Sequence, residues 1–139
     1  MSPPRLSETR FVPSSDPAKR LQDIVRNIER IRAHMGRMTA RQFLADAKTQ
    51  DAVERCLERI AEAARKIGGA LDVRYPGVGF PQLRQLGSAL RHDYDEINAD
   101  LMWRTVKDRL GPLEAACRRE LVGLGPMKSG RRKSVKDAG

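Results

Sequence analysis

Apolar residues recur at three- and four-residue steps along most of this chain, a spacing that predicts amphipathic helices. Leu21, Ile24, Val25, Ile28, Ile31 and Met35 form one such stripe. Ser15-Asp16-Pro17 supplies its start, because a Ser or Asp oxygen accepts an orphan backbone N–H and Pro suits the first turn. Gly36 supplies its stop. Thr39 caps a short segment, Ala40 to Ala47, whose Phe43 and Leu44 pin a connection onto the core. Thr49 is expected to open the strongest helix, in which Val53, Leu57, Ile60, Ala64, Ile67 and Leu71 make a long seam that frays at Gly68-Gly69. The Pro- and Gly-rich run from Tyr75 to Pro81 reads as a connector. A fourth helix resumes at Pro81 or Gln82, with Leu83, Leu86, Leu90 and Ile97 on one side, and is expected to continue through Tyr94. A last helix runs from about Asp100 to Leu121 and turns Met102, Val106, Leu110, Leu113, Cys117 and Leu121 inward, with a kink expected at Gly111-Pro112. The fold class is all-α, a bundle of four main helices plus a short one, without an internal repeat.

Composition agrees with that picture. Aromatic residues make up only 4% of the 139 residues, and the apolar set is dominated by Leu, Ile, Ala and Val, which suits helices packed on helices. The length fits one domain with a modest core. The reading divides the chain into a flexible leader at 1–15, a helical domain at 16–125 and a basic disordered tail at 126–139. No stretch reaches the roughly 18 uninterrupted apolar residues of a spanning helix. Met1 to Arg5 lacks the apolar run of a secretory signal. A cytoplasmic protein that makes no membrane contact is the expectation. Cys56 and Cys117 stand alone, with no CxxC or Cys/His spacing to assemble a metal site. They read as buried structural thiols.

Charge adds a partner. The net charge is +9, and part of it is concentrated between Lys128 and Lys136. A basic chain gains sequence-independent affinity for a polyanion by releasing counterions, although a basic tail can also serve solubility alone.

The residues with chemistry are grouped around Leu90-Arg91-His92-Asp93-Tyr94. On a continuous helix, Arg84, Ser88, Arg91, His92 and Asp95 fall on a different arc from the leucines. His92 then lies roughly 140° from their mean direction, and Tyr94 sits at the edge of the apolar stripe. A solvated polar face is the bland account of such an arc. The chemical account joins a histidine that shuttles a proton near neutral pH to arginines that grip phosphate oxygens. RNA brings its own nucleophile, the ribose 2′-hydroxyl, so this chemistry requires neither a metal nor a cofactor. Asp93 and Asp95 offset the local arginines or end the helix; the alternative for the pair is to orient His92 or help present Tyr94. Glu54, Arg55, Glu58, Arg59, Glu62 and Lys66 read as surface ion pairs on the third helix.

Taken in order, several segments resemble the HepT-like branch of the HEPN superfamily. They are Arg20 to Ile24, Phe43 to Asp46, Thr49 to Arg55, Glu62 to Ala64, Tyr75-Pro76, His92-Asp93-Tyr94, Trp103 and Val106 to Leu113. The resemblance spans roughly residues 20 to 118. It implies a helical bundle that forms a homodimer through its long helices, with paired Arg-x4-6-His motifs that cut RNA without metal. It also implies a partner, a nucleotidyltransferase antitoxin that transfers AMP from ATP to the motif tyrosine and silences the toxin. By position His92 matches the family histidine and Tyr94 the modified tyrosine. The chain departs from the pattern five residues before His92, where the family places Arg followed by Asn and this chain has Gly87 and Ser88. Arg91 and Arg84 are the neighbours that could bring a guanidinium to the same phosphate.

The expected function is therefore the toxin subunit of a toxin–antitoxin pair, an endoribonuclease with His92, Arg91 and Arg84 as catalytic residues and Ser88 and Asp93 in support. Gly87 keeps a second reading open, in which the same fold docks the nucleotidyltransferase or RNA without cutting. A third reading is a basic helical binder of nucleic acid that works through its tail.

Overall fold

The computed structural model describes residues 16–90 and 95–125. Among these residues the chain is a bundle of six helices: α1 (Pro17–Met35), α2 (Ala40–Leu44), α3 (Ala47–Ile67), α4 (Ala70–Arg74), α5 (Phe80–Ala89) and α6 (Asp95–Leu124). The expected leader and tail lie outside the described residues.

Local chemistry fixes the starts and stops. Asp16 accepts from the Lys19 backbone N–H and Pro17 occupies the first turn of α1, which ends at Gly36 with a positive φ of 54°. The Thr39 hydroxyl and the Gln42 side chain close a reciprocal capping box on α2. The start of α3 differs from the sequence expectation: Asp46, not Thr49, is the cap. Its carboxylate takes both the backbone N–H and the hydroxyl of Thr49, so the helix begins at Ala47. At the far end, Gly68 stops α3 with a φ of 80°. Leu71, expected on the α3 seam, belongs to the short helix α4, which the sequence reading treats as part of its neighbours. The last helix starts five residues earlier than expected and passes Pro112 without a break in its helical assignment.

The core lies where the periodicity predicts. Ile24, Ile28, Ile31, Val53, Leu57 and Ile60 are fully buried between α1 and α3, the most extensive helix pair in the bundle. From α3 the core continues to α5 through Phe80, Leu83 and Leu86, and from α1 to α6 through Met102, Leu110 and Leu113. Phe43 of α2 is wholly buried, with its ring centroid 5.8 Å from that of Trp103 on α6. Both cysteines are buried and unbridged. Burial pushes the Cys117 thiol up to about 12, aided by the nearby Glu120 and Glu114 charges, so it stays protonated. No helix among the described residues is long and apolar enough to cross a membrane.

Candidate functional site

The described residues fix the two flanks of the expected site segment. α5 closes at Ala89, and the Leu90 backbone N–H donates to the Leu86 carbonyl at 2.9 Å. The helix therefore stops before His92, and Ile97 belongs to α6 rather than to the leucine stripe of α5. A wheel drawn through residues 83–97 does not apply, because Pro, Gly and leucine spacing alone cannot reveal where one helix yields to the next. Arg91, His92, Asp93 and Tyr94 lie outside the described residues.

Asn98 ties the two ends together. It is 6% exposed, and its Nδ2 donates to the Leu90 carbonyl at 3.2 Å. The bond joins the first turns of α6 to the cap of α5 across the four site positions. A buried polar bond of this kind specifies geometry, since leaving the carbonyl without a donor costs more than the bond itself contributes. Sequence reasoning missed Asn98; a lone Asn on a helix carries no signal until its partner across the turn is known.

Arg84 is engaged within the fold. Its two terminal nitrogens meet the Asp72 carboxylate at 2.9 and 2.7 Å, and Nη1 also donates to the Gly68 carbonyl at 3.2 Å. The hydrogen bonds from Arg84 hold the Asp72 carboxyl below the usual aspartate range, against the opposing effect of desolvation. Arg84 thus joins the end of α3 and the short α4 to α5, and a phosphate would have to compete with Asp72 for it. Ser88 lies exposed on the last turn of α5. Gly87, beside it, is buried.

Another arginine stands beside Gly87. Arg65, in the last turn of α3, pairs with Glu62 and donates from Nη1 to the Arg84 backbone carbonyl at 3.4 Å. A Cβ built on Gly87 would stand 3.9 Å from that nitrogen. Arg55, Glu58 and Arg59 continue the line along α3, and together with Arg65, Glu62 and Gly87 they enclose an open groove of about 340 Å³. The expected surface pairs on this helix are present in part: Arg55 lies 3.7 Å from Glu58 and Lys66 3.9 Å from Glu62. Arg65 was not among them.

Two further motif positions have structural partners. The Tyr75 hydroxyl donates to Glu120 at 2.7 Å, which fastens the α4–α5 connector to α6 and raises the phenol above its ordinary range. Trp103 packs on Phe43 and carries the Lys107 ammonium 4.9 Å from its ring centroid.

Comparison with known proteins places the chain in a lineage. A family model described as "Ribonuclease HepT-like" matches residues 24–120. The chain is 34% identical over 99 residues to "Putative RNase MJ0127" of Methanocaldococcus jannaschii, a match covering 71% of this chain and 82% of that one. It is 32% identical over 94 residues to "Probable ribonuclease HepT" of Thermococcus cleftensis, covering 68% and 86% respectively. No solved structure matches the chain.

Proposed function

Since the chain belongs to the HepT-like ribonuclease family of the HEPN superfamily, we propose that it is an endoribonuclease toxin that acts as a homodimer. In this reading His92 takes the proton from a ribose 2′-hydroxyl as that oxygen attacks the adjacent phosphorus. The 5′-oxygen departs and accepts a proton from imidazole, leaving a cyclic phosphate on one product and a hydroxyl on the other. His92 is present twice in the dimer, so one imidazole can act as base while the other acts as acid. Arg91 steadies the charge that gathers on the phosphate oxygens, and Arg84 could join it only by leaving Asp72. Ser88 and Asp93 act in support.

The observation that carries this reading is family membership over residues 24–120, a range that contains the whole His92-x-Tyr94 motif. The Asn98–Leu90 bond supports it by holding the motif's two flanks together. Regulation follows the same motif. A nucleotidyltransferase antitoxin would transfer AMP from ATP to the Tyr94 hydroxyl with release of pyrophosphate, and the added anion would repel RNA and block the cleft. Gly87, where the family has arginine, favours a second reading in which the protein binds its nucleotidyltransferase or RNA without cutting.

The test is cleavage of single-stranded RNA by the purified protein in EDTA, compared with His92→Ala and with protein treated beforehand with the nucleotidyltransferase and ATP. Wild type should cut, and both comparisons should not. Equal survival of RNA in all three would leave only the binding reading.

A further inference from the structure

We propose that Arg65, on α3, is the guanidinium that grips the scissile phosphate, reaching from the facing helix the position that Gly87 leaves without a side chain. The inference rests on the ribonuclease reading and adds to it a residue from a helix outside the motif.

Three observations carry it. The Arg65 fork ends against α5 itself, with Nη1 3.4 Å from the Arg84 carbonyl and 3.9 Å from where a Cβ of residue 87 would stand. Gly87 is buried and adds no atoms beyond its backbone, so the space beside the last turns of α5 is lined by Arg65 instead. The side chain is nonetheless 46% exposed, because the groove opens to solvent. Glu62 and one backbone carbonyl engage the fork only in part, and its remaining N–H groups are available to an anion. Arg84 differs: Asp72 spans both of its terminal nitrogens.

The groove extends the same chemistry. Arg55 and Arg59 of α3 line the same groove as Arg65, while Glu58 and Glu62 offset Arg55 and Arg65 in the absence of RNA. Arriving phosphates would displace these carboxylates from exposed pairs, which cost little to break. A bidentate guanidinium aimed at charge that grows in the transition state should account for about a hundredfold or more in rate.

The experiment is a double-mutant cycle on RNA cleavage with wild type, Arg65→Ala, Gly87→Arg, the double variant and His92→Ala. Arg65→Ala should keep its thermal midpoint, since the side chain is half exposed, and lose about a hundredfold in kcat. Arg65→Lys should recover only part of that loss, because an ammonium lacks the planar fork. In the Arg65→Ala background, Gly87→Arg should restore cleavage by returning a guanidinium to the same place. A wild type that cuts, a dead His92→Ala and a fully active Arg65→Ala would overturn the inference and leave the ribonuclease reading standing. A loss in Arg65→Ala that Gly87→Arg cannot repair would assign Arg65 to holding α3 against α5, which also overturns it. A wild type that cuts nothing removes both.

Discussion

Asn98 shows how one side chain can set a site it need not touch. Its amide is buried, and the carbonyl it serves belongs to the capping residue of α5. Replacing it by alanine strands that carbonyl, at a cost of about 1–3 kcal/mol for an unsatisfied buried acceptor. Urea unfolding of Asn98→Ala should show that loss, and RNA cleavage should fall further than the same destabilisation introduced elsewhere in the core, for example by Ile31→Val. A cleavage rate that tracks stability alone would reduce Asn98 to a packing residue. Arg84 and Arg65 make the complementary point: two arginines near one stretch of α5 differ in availability because one faces a full carboxylate fork and the other a single exposed glutamate and a carbonyl.

Between elements, charge pairs join what the apolar stripes bring close. Glu114 on α6 receives Arg32 of α1 at 2.5 Å and Arg118 of its own helix at 2.9 Å, and Arg118 returns to Glu29 of α1 at 3.0 Å. The Arg32 hydrogen bond, followed by that of Arg118, holds the Glu114 carboxyl below its ordinary 4.5, against the opposing effect of burial. A depressed folded pKa means that the unfolded chain binds the proton more readily. The contribution is therefore complete above about pH 4.5 and disappears as pH falls through the folded value. Thermal midpoints measured from pH 6 down to pH 3 should fall less steeply for Glu114→Gln than for wild type; parallel curves would mean that the α1–α6 pairs contribute nothing. The helices themselves were legible in the sequence because α1 and α3 announce their apolar faces through Ile24, Ile28, Leu57 and Ile60. Their boundaries were less so. Asp46 competes with Thr49 for the cap on equal local terms, α4 is too short to show a period, and the α5–α6 junction depends on Asn98 finding a carbonyl eight residues back. The motif His92-x-Tyr94 could be recognised by order alone, whereas Arg65 could not, since only the packing of α3 on α5 brings it to Gly87.

For the whole molecule, the question is where its positive charge acts. Residues 126–139 hold five basic side chains and one acidic one, a net +4 of the chain's +9. If RNA is gripped in the α3–α5 groove, the tail adds only diffuse attraction, and the helical domain keeps the chemistry. Release of counterions from single-stranded RNA gives a slope of about −0.7 per phosphate neutralised in log affinity against log salt. Removing the tail should therefore flatten that slope by at most about 3.5 while His92-dependent cleavage at low salt persists. The comparison is filter binding and cleavage by the 1–125 chain and the full chain across a salt series. Loss of all binding on truncation would move the function to the tail and make the protein a basic nucleic-acid binder. Retention of cleavage with a shallower slope would place recognition on the folded surface, where the arginines of α3 line a groove beside the only buried glycine of α5.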